Sequence, residues 1–319
     1  MSMWDSLCSI ALFSRDFTAL CVKLIWIFCF ETVRSLLPRR KKDLRDEIIL
    51  ITGSAQGIGR ELAIKSAELG AKVVLWDINE EKVQNVATEI TSKGGWAKWY
   101  RCDVTSEEDV NEKAKLVLQN VGDVYILLNN AGLMQNVPFL QLDSAKIRKT
   151  FEINIIAHIW TIRAFLPNMI KKNRGHVVAI SSAAGLMGHV NQSDYSASKF
   201  AVVGLMEALS EEMRTEGHDI RFTTVCPLTV DTGMNQNPIA KYPILTPILS
   251  IQKAAEEILH AIRTEEFIAA LPRRVYCFII GSKLFPRKCF CEIMDFVDYC
   301  RMANVASENS KTNNDSTLK

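Results

Sequence analysis

No two cysteines of this chain stand at a C-x-x-C spacing, and no Cys/His arrangement has the geometry of a tetrahedral zinc site. The nine cysteines therefore point to no metal and no disulfide framework, and the chain reads as the product of a reducing compartment. Cys102 and Cys226 fall inside apolar runs, where a thiol serves as a small hydrophobe. An excess of one charge is also missing. With 38 basic and 36 acidic side chains the formal charge is +2, which gives no global field to attract nucleic acid. Repeats of solenoid length are lacking. No apolar run reaches the roughly 20 uninterrupted residues that a spanning helix needs. The nearest, Leu7 to Phe30, is broken by Arg15, Asp16 and Lys23. It has no basic region before it and no small-residue cleavage site after it, which argues against a cleaved signal peptide.

Hydrophobic residues, by contrast, are plentiful. At 48% of 319 residues they can fill a large core, which excludes a disordered chain. The Leu7 to Phe30 stretch reads as membrane attachment, because Trp26, Phe28 and Phe30 lead toward the Arg39 to Lys42 basic cluster. A spanning helix, a helix lying in the interface and a shallow hairpin stay open, and an amphipathic helix packed on the domain is the plain alternative. Residues 1–45 thus form a hydrophobic membrane-association segment and 46–270 a catalytic domain. Residues 271–306 form an apolar extension, read either as a second membrane contact or as a flap over the substrate site. The polar, aperiodic 307–319 is expected to be disordered.

From Glu47 the pattern becomes regular. Ile48-Ile49-Leu50-Ile51 is an apolar strand, followed by a helix from about Ile58 to Leu69. Lys72 to Trp76, Ala97 to Arg101, Val124 to Leu128, His176 to Ile180 and Arg221 to Val225 repeat the strand signal, each before a helix-length segment. Continuous apolar strands alternating with helices predict an α/β domain, a doubly wound parallel sheet covered on both faces, the Rossmann architecture.

The first strand runs into Thr52-Gly53-Ser54-Ala55-Gln56-Gly57-Ile58-Gly59 and then a helix. A glycine-rich turn at a strand end and helix N-terminus offers amide groups to a pyrophosphate. Asp77 follows the second strand about 20 residues on, where a carboxylate accepts from adenosine ribose hydroxyls and repels a 2′-phosphate. No basic residue directly follows Asp77, and Gln56 occupies the loop position that is often basic in phosphate-accepting proteins. These features favour NAD over NADP.

Tyr195 and Lys199 stand four apart on a stretch that reads as helix, so both side chains share one face. A phenol titrates at about 10, and a neighbouring ammonium stabilises the phenolate, making Tyr195 a usable base. Ser182 ends the fifth strand, where its hydroxyl could hold a substrate oxygen beside Tyr195. Asn154 could position a lysine-bound water through its amide, with a backbone-satisfied buried asparagine as the alternative. The loop Met187 to Val190, between Ser182 and Tyr195, and Tyr242 to Leu249 are expected to shape the substrate pocket with apolar contacts; His189 reads as an exposed loop histidine, with contact to a polar group of the substrate as the alternative.

The motif series TGSAQGIG at 52–59, Cys102-Asp103-Val104, Asn129-Asn130-Ala131-Gly132, Asn154, Ser182 and YSASK at 195–199 resembles the short-chain dehydrogenase/reductase family over roughly residues 46–270. The resemblance implies a catalytic tetrad of Asn154, Ser182, Tyr195 and Lys199. It also implies that Asp103 and Val104 flank the adenine, that Asn130 lies near the cofactor ribose, and that Lys199 binds the nicotinamide ribose. Leu228 stands where the family has a glycine, so the loop carrying the nicotinamide-side residues Val230 and Thr232 is expected to be displaced. The apolar N-terminus, the Pro38 to Lys42 cluster, Leu75 to Asn79 and the apolar extension resemble a membrane-associated branch that acts on retinol and hydroxysteroids. That branch implies a lipophilic alcohol or ketone as substrate and NAD as cofactor. It further implies a location on the endoplasmic reticulum membrane or a lipid droplet, and the basic residues on the domain side favour a catalytic domain facing the cytoplasm. The family's long helices imply a homodimer. A reductase of long-chain or sterol ketones, and a surface protein that keeps the fold without the chemistry, are the alternatives.

Overall fold

The computed structural model describes residues 3–36, 40–233, 242–243 and 246–296. They fall into two units that divide between Lys41 and Lys42. The first unit is a single helix, α1 (Met3–Leu36), of 34 residues and about 50 Å at 1.5 Å per residue. It is unbroken, so the hairpin reading does not hold. Phe13, Trp26 and Phe28 on it are exposed. Among the described residues, no helix is long and apolar enough to cross a membrane.

The second unit begins four residues earlier than the sequence pattern placed it. Lys42 N–H donates to the Arg263 carbonyl, and Leu44 is 1% exposed in the core. Lys42, grouped by sequence with a surface cluster, lies against Tyr125 and His176 instead, with Nζ 2.6 Å from His176 Nδ1.

Seven parallel strands follow the order β3-β2-β1-β4-β5-β6-β9. They are β1 (Ile48–Thr52), β2 (Lys72–Asp77), β3 (Trp96–Arg101), β4 (Ile126–Asn129), β5 (Gly175–Ile180), β6 (Ile220–Pro227) and β9 (Ile268–Leu271). The short β7 (Thr229–Val230) and β8 (Ile248–Leu249) pair with each other. Successive residues of a strand face opposite sides, and β1 shows the consequence. Ile49 and Ile51 join the core under α2 (Gly57–Glu68), α3 (Glu80–Ser92) and α8 (Ile251–Arg263), whereas Leu50 joins the core under α4 (Glu107–Asn120), α6 (Ala157–Lys172) and α7 (Ser193–Thr215). In the second layer Trp76, fully buried, packs its ring 5.6 Å from that of Phe165.

Between β4 and α6 lies α5 (Ser144–Phe151), joined to α6 by one π-helical turn, Glu152–Ile156. Beyond β9 the chain makes two helices, α9 (Arg273–Ser282) and α10 (Arg287–Phe296). Ile279 and Met294 are buried in a third cluster with Ala183, Met187 and Cys226. The extension therefore packs on the domain as far as Phe296. The expected disordered tail, 307–319, lies outside the described residues.

The strand order reverses between β1 and β4, and in open α/β sheets such a switch opens a crevice at the carboxyl ends of the strands.

Candidate active site

A cavity of about 970 Å³ occupies that crevice. Gly53, Gln56, Gly57, Ile58, Asp77, Asp103, Val104, Asn130, Ser182, Tyr195, Lys199, Val230 and Thr232 all line it, as the sequence expected.

The glycine-rich turn is shaped by close approach. A Cβ on Gly59 would fall 2.2 Å from the Gly53 carbonyl oxygen, so only hydrogen fits where α2 crosses β1. Gly53 has φ +63°, and a Cβ there would meet the Ala131 backbone at 2.9 Å. Asn130 braces the turn from the side. Its Nδ2 donates to the Thr52 and Gly53 carbonyls at 3.0 Å each, and its N–H donates to Thr52 Oγ1. Asn130 therefore borders the cavity with its amide committed to the loop. Ser54, expected as a cofactor contact, is fully buried and donates its hydroxyl to the Trp76 carbonyl, so it faces the core. Gly59 likewise acts as a spacer beneath the cavity.

Asp77, at the end of β2, accepts from Ala55 N–H through one oxygen and from Asn79 N–H through the other. This fixes a carboxylate at one end of the cavity. Asp103 accepts from both the N–H and the hydroxyl of Thr105, which orders the turn that presents Val104. A dinucleotide fits these residues. The glycines let the turn close tightly against Ala131 and α2, Gly57 and Ile58 bring the N-terminus of α2 to the crevice, and a fixed carboxylate waits one strand away.

At the other end, Ser182 extends from β5 and its hydroxyl caps Ala184 N–H. Tyr195, in the first turn of α7, lines the cavity with Ser182, whose hydroxyl favours the phenolate. Burial pushes the Tyr195 phenol up to about 12, and that hydroxyl works against the rise. Lys199, one turn on, is buried and donates to the Ile180 carbonyl at 2.8 Å, with Nζ 5.7 Å from the Tyr195 ring centroid. Burial pulls its ammonium down to about 8. Burial thus raises the phenol that the sequence expects the lysine to lower, and the ammonium points onto Ile180.

Asn154 does not reach the cavity. It sits in the π turn, fully buried, with Oδ1 accepting from Leu133 N–H and Nδ2 donating to the Leu133 carbonyl and to Ser198 Oγ. The alternative reading of a backbone-satisfied asparagine is the one the structure takes. His189 follows the pocket-shaping reading of its loop and not the exposed one. It is half-buried on the cavity wall, and burial holds its ring down to about 4. The loop after β6 keeps its nicotinamide-side residues on the cavity despite Leu228. Leu228 donates its N–H to the Leu271 carbonyl without a left-handed backbone, and β7 pairs with β8, holding Val230 and Thr232 at the cavity.

Several cavity residues escaped the sequence reading. Arg287, Phe290, Cys291, Met294 and Asp295 of α10 form one wall, so the extension is a flap over the site. Its signal was the four-residue spacing of Phe290 and Met294. His158, four residues after Asn154, is buried, and its ring is held down to about 3 by burial and the nearby Lys199 charge.

The short chain dehydrogenase family profile matches residues 47–242, and the chain belongs to that family. Epidermal retinol dehydrogenase 2 of Mus musculus is 38% identical, the alignment covering 88% of this chain and 94% of the relative. Estradiol 17-beta-dehydrogenase 11 of Rattus norvegicus is 36% identical over 84% of this chain and 90% of the relative. Among solved structures, a short chain dehydrogenase/reductase of Burkholderia phymatum in complex with NAD superposes with a TM-score of 0.68. It is 25% identical and is matched over 75% of this chain and 93% of its own.

Proposed function

We propose that this chain is an NAD-dependent dehydrogenase that interconverts a lipophilic alcohol, retinol or a hydroxysteroid, with its aldehyde or ketone. The observation that carries the proposal is the convergence of Ser182, Tyr195 and Lys199 at one end of a cavity whose other end is marked by Asp77. The retinol and estradiol dehydrogenases that resemble it support the substrate class, and the NAD-bound neighbour supports the cofactor.

Asp77, Asp103 and Val104 would hold the adenosine end of the dinucleotide. The turn from Gly53 to Ile58 would hold its phosphates, and Val230 and Thr232 would border its nicotinamide end. When bound, the dinucleotide supplies or accepts the hydride at its nicotinamide ring. The chain's own residues manage the oxygen. Ser182 holds the substrate hydroxyl, and Tyr195 takes its proton in oxidation or returns it in reduction. Lys199 presents a positive charge to the Tyr195 phenolate and lowers the cost of forming it. Asn154 acts at one remove, by fixing Leu133 on the cavity wall. The exposed aromatic residues of α1 support attachment to the surface of the endoplasmic reticulum membrane or a lipid droplet, and the basic residues between α1 and the domain support a cytoplasmic catalytic unit.

Titrating the full chain with NAD+ and NADP+, then assaying turnover of retinol, hydroxysteroids and long-chain secondary alcohols, tests this reading. NAD+-dependent oxidation of at least one class is expected. Tight cofactor binding with no turnover across the panel would sink it.

A further inference from the structure

The α9–α10 hairpin has two faces with opposite character. Its inner face is fastened to the domain by Ile279 and Met294, which are 1% and 6% exposed, while Phe290 and Met294 wall the cavity. Its tip is the reverse. Residues 283–289 are all exposed, with Leu284 at 84% and Phe285 at 57%. The tip is ordered by its own backbone, since Leu284 N–H donates to Gly281 and Phe285 N–H to Ser282. A fixed turn that exposes a leucine and a phenylalanine is a surface in search of an apolar partner.

Charge says which partner. Lys283, Arg287 and Lys288 flank the two apolar side chains, no acidic residue lies between 283 and 291, and none of these three cations enters an ion pair among the described residues. A second rim segment is similar, although Asp143, which caps Ala145 N–H, lies among its cations. The turn Phe139–Gln141 exposes Phe139 and Leu140, the latter at 95%, shortly before Lys146, Arg148 and the cavity-lining Lys149. It is tied to the cavity rim by the bond from Val137 N–H to the Asn191 carbonyl, next to Val190. Apolar tips beside an excess of cations match an anionic bilayer surface, where the side chains enter the acyl boundary and the cations meet headgroup phosphates. Both lie on segments that also supply the cavity wall.

We infer that the α9–α10 tip, with the 139–141 turn, docks the catalytic unit on anionic phospholipid so that the cavity receives lipophilic substrate from the bilayer. The inference rests on the proposed lipophilic substrate, and its test separates the two. The full chain is made with the photo-reactive residue benzoylphenylalanine at position 285, or at position 211 as a control on the far end of α7. It is irradiated on phosphatidylcholine vesicles with or without about one-fifth phosphatidylserine.

Lipid adducts at position 285 are expected to exceed those at 211 about tenfold, and to fall several-fold without phosphatidylserine. Equal adducts at both positions, or adducts indifferent to phosphatidylserine, would overturn the inference. So would a protein–protein adduct at 285, which would mark the tip as an interface between copies of the chain. As a second reading, the double variant Leu284→Asp, Phe285→Asp should raise KM about tenfold for retinol held in vesicles and leave KM for a short soluble alcohol unchanged. If no lipophilic alcohol is oxidised while the adducts form as expected, the substrate reading fails and the docking surface stands.

Discussion

Both polar atoms of the Asn154 side chain close on a single residue, Leu133, whose N–H reaches Oδ1 at 2.7 Å and whose carbonyl accepts from Nδ2 at 2.8 Å. The pair ties the π turn to the strand-end loop that lines the cavity beside Lys199. Asn154→Ala leaves both Leu133 groups without their partner. Unfolding free energy should fall by about 1–3 kcal/mol and turnover by about tenfold or more. Denaturant titration gives the first quantity. Faster amide exchange at 132–135 would show that the loop is what loosened, and unchanged exchange there would contradict the assignment.

Asp77 is fixed by two backbone N–H donors and presents its carboxylate to the cavity. Asp77→Asn keeps an acceptor but removes the charge that repels a 2′-phosphate. A hydrogen bond to a charged group contributes about 1.5–3 kcal/mol, so NAD+ affinity should drop about 10- to 100-fold while NADP+ affinity holds or rises. Parallel cofactor titrations measure both. An equal loss for the two cofactors would mean that Asp77 only braces the loop.

The spacer role of Gly59 predicts an outcome out of proportion to a methyl group. In Gly59→Ala the added carbon meets the Gly53 carbonyl, which is backbone and cannot swing aside. Destabilisation of about 1–3 kcal/mol and a loss of cofactor binding should appear together. Thermal melts with and without NAD+ would reveal this, and a variant with wild-type stabilisation by NAD+ would refute it.

Lys42 gives a pH dependence with a definite sign. Its ammonium carries only donors, so His176 Nδ1 accepts and His176 Nε2–H donates to Thr223 Oγ1, 2.8 Å away. Burial lowers Lys42 to about 8, against the attraction of Glu265 and Glu47. An unfolded lysine titrates at about 10.4, so between these values the unfolded chain binds more protons and stability rises with pH. Lys199, also held at about 8, contributes the same slope. The stability of the wild type minus that of Lys42→Met should therefore grow by about 2 kcal/mol between about pH 7.5 and about pH 9.5. Denaturant unfolding across that range is the check, and a flat or shrinking difference would show that Lys42 is not desolvated.

The elements that the sequence revealed share one property: their signals are local. Ile48 to Ile51 and the glycines that follow announce a strand and a phosphate turn within a dozen residues, and YSASK places Tyr195 and Lys199 on one helical face. What stayed hidden depends on distant partners. β9 is only Ile-Ala-Ala-Leu, with too little β-branched character to announce itself, and it is a strand because β6 pairs with it. Lys42 reads as one more cation in a basic run until the fold brings His176, 134 positions away, against it. The extension's apolar residues divide between the cavity wall and an exposed tip, so membrane contact and flap share one sequence signature. Ser54 and Asn154 show the converse. Their motifs are legible, but which way each side chain points is set by Trp76 and Leu133.

The most direct test of the account is the effect of Tyr195→Phe on the NAD+-linked oxidation of retinol and hydroxysteroids by the full chain. Tyr195 is buried and lines the cavity with Ser182, so the variant keeps the ring and loses only the proton carrier. The account predicts that kcat falls about 10²- to 10⁴-fold, the range that positioned proton transfer contributes, while NAD+ affinity stays within about twofold. Turnover that survives the substitution unchanged would contradict it.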